Sequence, residues 1–176
     1  MNKFINPQSK YFNAFNLIGL IGPIGFKKLL AHFKSLENAW SAGINEFSQA
    51  GLNKSTIEQI RKQRPQINPD WEMEKLAKHQ INLITIQDKN YPKLLKEIYA
   101  PPAVLYIRGA LQKIDQPSLS IVGTRRLSSY GRQITPLITT DLVKAGLVII
   151  SGLAKGIDAL AHQAALKAKG QTIAVL

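Results

Sequence analysis

The chain has 176 residues, 45% of them hydrophobic, which suits one globular domain or two small ones. Its 23 Lys and Arg against 11 Asp and Glu give a net charge of +12, a balance that favours a polyanionic partner, nucleic acid ahead of an anionic membrane surface. There is no cysteine, which excludes disulfides, thiolate catalysis and Cys-ligated metals.

Nothing approaches the ~18 uninterrupted apolar residues of a membrane span, and Asn13, Asn16 and the Gly/Pro pattern from Gly19 to Gly25 break the N-terminal apolar stretch before it reads as a signal peptide. A soluble cytoplasmic protein is expected. Residues 11 to about 63 read as compact helices: Leu17, Ile18, Leu20 and Ile21 lead into Gly22-Pro23-Ile24-Gly25, after which Phe26, Leu29, Leu30 and Phe33 recur at helical spacing. The string Leu20 to Gly25 resembles the turn of a helix-hairpin-helix motif, whose glycine turn opens backbone N–H groups at a helix start to a nucleic-acid phosphate. Ala50-Gly51-Leu52-Asn53-Lys54-Ser55, ahead of a helix through Ile57, Ile60 and Arg61, is a weaker echo of it. Two such units predict a small helical, SAM-like domain over 1–68. A Gly-Pro-x-Gly turn between apolar helices also serves packing or protein docking alone, and Lys27, Lys28 and Lys34 beside it fit a solvated face, so the sequence favours that plainer role.

Pro65 and Pro69 bar helix continuation and predict a boundary near residue 68. A short helix over 70–80, a strand over 82–86, a turn at Asp88-Lys89-Asn90-Tyr91-Pro92, a helix presenting Leu94, Leu95 and Ile98, and a strand over 103–107 closed by Gly109 follow. These elements are expected to extend the sheet that comes next, giving a second domain over 69–176. The runs Leu119–Val122, Leu147–Ile150 and Thr172–Leu176 are continuous and apolar, and helical spacers separate them, as in a parallel sheet covered on both faces. In the first spacer, Pro136 fits best with Thr135 as N-cap; a helix from Gly131 would be kinked. In the second, Ile157, Leu160, Ala161, Ala164, Ala165 and Ala168 form an apolar stripe.

The loops after the first two runs leave the carboxyl ends of parallel strands, where open α/β sheets bind ligands. Gly123 permits close backbone approach, Thr124 and the loop N–H groups are donors, and Arg125 offers a planar fork matched to phosphate oxygens. Ser128 and Tyr130 add hydroxyls and Gly131 precedes a helix start; on the second loop Ser151 precedes Gly152, and Gly152 and Gly156 flank Lys155. The expected site is an anion cradle of backbone and hydroxyl donors, with Arg126 and Arg132 as possible further contacts. Asp158 and His162, four apart on one helix, could form an acid/base pair, but a carboxylate satisfying the N–H groups of its own helix start, with His162 bonded to it, is the better account. His32, His79 and His162 show no metal-ligand spacing, so no catalytic residue, metal or cofactor is expected.

Val122-Gly123-Thr124-Arg125, Ser128-x-Tyr130-Gly131 and Ser151-Gly152-Leu153-Ala154-x-Gly156-Ile157-Asp158 with Ala161-His162 closely resemble the DprA/Smf family of DNA-processing proteins, and the match runs upstream through Tyr91-Pro92 and Pro102–Gly109. The resemblance implies an α/β fold, a helical SAM-like domain followed by part of an extended Rossmann-like parallel sheet. It implies a non-catalytic protein that binds and protects single-stranded DNA during natural transformation and helps load the RecA recombinase. Carried onto this sequence, it implies backbone contacts from Gly123, Thr124, Arg125, Gly152 and Lys155, in a pocket shaped by Ser128, Tyr130, Gly131, Ser151 and Gly156. Family members continue past Leu176 and carry a homodimer surface, so the chain is expected to be a fragment. Two other readings stand beside this one: a Rossmann-like enzyme that binds or cleaves nucleotides, and a helical docking module with a vestigial cradle.

Overall fold

In the computed structural model, which describes residues 6–111 and 116–176, the chain divides into two compact units, Met1–Gln112 and Lys113–Leu176. In the first, helices α1 (Ser9–Leu17), α2 (Pro23–Phe33), α3 (Leu36–Ser41), α4 (Glu46–Gln49) and α5 (Lys54–Gln63) follow one another through short turns. Their starts are set by local chemistry: the Ser35 hydroxyl accepts from the N–H of Asn38, and the Asn53 side chain accepts from that of Thr56. The apolar stripes meet in an aromatic core, with Phe12 stacked on Phe26 at 5.8 Å and Phe15 edge-on to Trp40 at 5.0 Å and to Phe47 at 6.4 Å. Arg64 closes this core: its guanidinium lies over the Phe47 ring and donates to the carbonyls of Trp40 and Ala42 at 3.1 and 2.8 Å, and burial lowers its pKa from the ordinary range.

The unit does not end at the predicted boundary near 68. After α6 (Pro69–Lys78), strands β1 (Ile81–Thr85) and β2 (Val104–Arg108), with α7 (Lys93–Lys96) between them, pair antiparallel from Ile81↔Arg108 to Thr85↔Val104. They were expected to extend the parallel sheet and instead form a separate two-stranded sheet packed with the helices. The reason is burial: Ala103 and Val104 join the helical core, and Asn13, buried on α1, finds its partner in the Tyr106 hydroxyl, which donates to Asn13 Oδ1 at 2.8 Å and accepts from Asn16 Nδ2 at 3.0 Å.

In the second unit β3 (Ser118–Ser120), β4 (Val148–Ser151) and β5 (Thr172–Ala174) form a parallel sheet of order β3-β4-β5. Helices α8 (Ser129–Lys144) and α9 (Ile157–Lys167) connect them, and both lie on one face, where Ile149 packs against Ala161 and Ala165 of α9 and Leu142 and Val143 of α8. Of the two readings of Pro136, a start at Thr135 or a helix from near Gly131 with the proline inside it, the structure has the second: α8 is capped by Ser128, whose hydroxyl accepts from the N–H of Gly131 at 3.1 Å, and Pro136 lies inside it. An interior proline costs about 3 kcal/mol. The Ser128 cap offsets part of that cost. Among the described residues, no helix is long and apolar enough to cross a membrane.

Tyr106→Phe leaves the buried Asn13 amide oxygen unpaired, and should destabilise the chain by about 1–3 kcal/mol in urea unfolding with little change in the slope of the transition.

Candidate anion-binding site

The loops Val122–Ser128 and Gly152–Gly156 leave β3 and β4 at their carboxyl ends, as neighbouring parallel strands require. One carboxylate ties them together. Asp158, at the start of α9 and only 6% exposed, accepts from the N–H of Gly123 at 3.3 Å through one oxygen and from the N–H of Gly152 at 3.2 Å through the other. Further bonds run across the same seam. Ile157 donates its N–H to the Thr124 carbonyl at 3.2 Å, and the buried Ser151 hydroxyl donates to the Ile121 carbonyl at 2.6 Å.

The glycines serve this seam. A Cβ on Gly123 would stand 2.7 Å from Ile157 Cγ1, and one on Gly156, whose φ is +95°, would meet the Thr124 carbonyl oxygen and lie 2.8 Å from Arg125 Cα. The backbone next to Lys155 is therefore pressed against the backbone of Arg125. The two cations that sequence places on different loops spring from one point.

This corrects the cradle expected from sequence. The N–H groups of Gly123 and Gly152 are already bonded to Asp158 and are not donors waiting for an oxyanion. The Thr124 hydroxyl is taken by its own loop, accepting from the N–H of Arg126 and donating to its carbonyl, both at 3.1 Å. Ser128 caps α8, Gly131 is buried beneath that cap, and Ser151 is buried between strands. Asp158 holds the two loops rather than the N–H groups of its own helix start. His162, expected to bond Asp158, instead turns Nδ1 to the Thr172 hydroxyl at 2.7 Å. That hydroxyl donates to the Ile149 carbonyl, so it receives the imidazole proton.

What remains open to a ligand is a crown of side chains. Arg125, Arg126, Arg132 and Lys155 are exposed, and none forms an ion pair among the described residues. The N–H groups of Ser129 and Tyr130 at the start of α8 have no partner there either, and the helix dipole adds positive potential at that end. Among residues 116–176 the only acids are Asp141, near the far end of α8 and 3.9 Å from Lys144, and Asp158, spent on the two glycines. Sequence reasoning singled out Tyr130 but missed two apolar neighbours of the seam, Val122 and Leu153. Leu153 is held at φ +55° with its side chain 55% exposed, and Val122 and Tyr130 are each 71% exposed. No residue pattern marks a leucine for a left-handed backbone; the sequence shows only that glycines flank the loop.

The fold defines a parallel α/β unit of the Rossmann-like kind, preceded by a helical unit. The family model of DNA recombination-mediator protein A matches residues 82–176. The chain belongs to this family, the DprA/Smf family. It is 40% identical to the Smf protein of Synechocystis over 97% of its own length and 44% of that protein's, and 40% identical to the DNA processing protein DprA of Bacillus subtilis over 73% of its length and 42% of that protein's. The X-ray structure of DprA from Streptococcus pneumoniae superposes with a TM-score of 0.75 at 29% identity, covering 94% of this chain and 56% of that one. The chain thus spans less than half the length of these two curated relatives.

Asp158→Asn replaces one acceptor oxygen with a donor facing an N–H, and should lower stability by about 1–3 kcal/mol by chemical denaturation. Gly156→Ala, by driving a methyl group into the Thr124 carbonyl, should be at least as damaging.

Proposed function

We propose that the crown around the Asp158 seam binds the phosphodiester backbone of single-stranded DNA, and that the chain belongs to a DNA-processing protein that protects incoming strands in natural transformation and passes them to the RecA recombinase. The observation that carries this is the common origin of Arg125 and Lys155: Gly156 abuts Arg125, so two cations leave one seam, and among the described residues neither is paired with an acidic side chain. Arg126, Arg132 and the free N–H groups of Ser129 and Tyr130 widen the positive surface. Exposed Val122, Leu153 and Tyr130 beside it favour a single strand over a duplex, because unstacked bases present apolar faces that a duplex hides. The name DNA processing protein carried by relatives in Bacillus subtilis and Streptococcus pneumoniae supports the same reading.

The role is binding, not catalysis. Asp158 is occupied by two amides and His162 is buried against Thr172, so neither is free to move a proton at a substrate. A mononucleotide would engage few of these cations and would bind with little salt dependence, whereas a strand spans several and releases counterions.

Titration of fluorescently labelled single-stranded DNA at several salt concentrations tests the assignment. Arg125→Ala should weaken binding across all sequences and flatten the logarithmic salt slope by about one unit, because a phosphate contact carries no base information. Lys155→Glu should weaken it further. An unchanged slope removes Arg125 from the site, and tight, salt-insensitive binding of a mononucleotide would favour the nucleotide-enzyme reading.

A further inference from the structure

The helical unit contains a second constellation suited to phosphate that the loop crown does not use. The Gly22-Pro23-Ile24-Gly25 turn and the Gly51-Leu52-Asn53 turn, far apart in sequence, border one cavity of about 270 Å³ lined by Gly22, Ile24, Gly25, Lys28, Asn53 and Thr56 among others, with no Asp or Glu. Two helices start here, α2 with 11 residues and α5 with 10. Helix α2 has no side-chain cap, and the N–H groups of Ile24 and Gly25 have no partner among the described residues. Lys28 is fixed at the rim by a 2.7 Å bond from Nζ to the Gly51 carbonyl, which spends one of its three N–H donors.

Two observations separate this from an ordinary turn. Thr56 is 4% exposed and lines the cavity, and its hydroxyl oxygen, which keeps some solvent contact, has no hydrogen-bond partner among the described residues. Gly22 has an ordinary extended backbone, φ −89°, and a Cβ there would meet nothing within 4 Å. The fold does not require glycine at this position. Its absent side chain leaves the α2 N-terminus open, and the ligand that uses such an opening is an oxyanion.

We infer that this paired-turn cavity holds a backbone phosphate of nucleic acid, on the N–H groups of Ile24 and Gly25, the Thr56 hydroxyl and Lys28, as a DNA contact independent of the loop crown. None of these groups reads a base, so the contact adds affinity without sequence preference.

The test uses the whole chain carrying Arg125→Ala and Lys155→Glu, which weaken the crown. This background should still bind labelled DNA in a salt-dependent way. Adding Gly22→Asp places a carboxylate at the N-cap, where it favours the helix and repels phosphate. Binding should fall about tenfold or more, the loss expected for one charge-assisted contact, while the melting temperature stays level or rises. Thr56→Val in the same background should weaken binding in the same direction, and amide resonances of Ile24 and Gly25 should shift on titration with DNA. A background that binds no DNA, a Gly22→Asp variant that binds as well as its parent, or a cavity that takes anionic lipid vesicles but not DNA overturns the inference. The comparison is made within one crown-deficient background, so its outcome stands apart from whether Arg125 and Lys155 bind single strands.

Discussion

A single carboxylate orders the sheet unit's functional end. Burying Asp158 is unfavourable unless its charge is met, and it is met by two amide N–H groups from different loops and by the start of α9. Bonds from neutral donors to a charged acceptor contribute about 1.5–3 kcal/mol each, enough to hold two loops that would otherwise move independently. Everything around the clamp is built to its dimensions. Gly123 makes room for Ile157, Gly156 lets the Thr124 carbonyl come close, and Ser151 bonds back to the neighbouring strand.

The consequence for charge is indirect. Among the described residues, the one acidic side chain at that end of the sheet is turned inward, so the exposed side chains there are cations and apolar groups without an acidic side chain to neutralise them. The polar atoms that a motif would assign to phosphate are bonded within the protein, and the exposed groups left at that end are the side chains of Arg125, Lys155 and their neighbours. Leu153 fits the same logic: a leucine in the left-handed region is disfavoured by roughly 1 kcal/mol, and the clamp on Gly152 next to it supplies the constraint that holds it there.

The helical unit rests on a different kind of constraint. Its aromatic core would bury Asn13 at a loss were it not for the Tyr106 hydroxyl, brought in from a strand more than ninety residues later, at a separation |i−j| of 93. That bond explains why the β1–β2 hairpin belongs with the helices. It also explains why a boundary read from Pro65 and Pro69 marks the end of a helix and not the end of a folding unit.

The sequence by itself determined the helices of the first sixty residues, the three parallel strands and the loops that follow two of them, because each is written in local periodicity, in Gly and Pro punctuation and in capping side chains. It also determined which cations stand on those loops. Only the tertiary structure decided that strands 81–85 and 104–108 pair with each other, that His162 faces Thr172, and that Asp158 takes the amides of Gly123 and Gly152. Each of these depends on which groups the folded chain brings side by side. A periodic pattern records that a residue is inside but not whom it meets there, and hydrogen-bond satisfaction in the folded chain makes that choice.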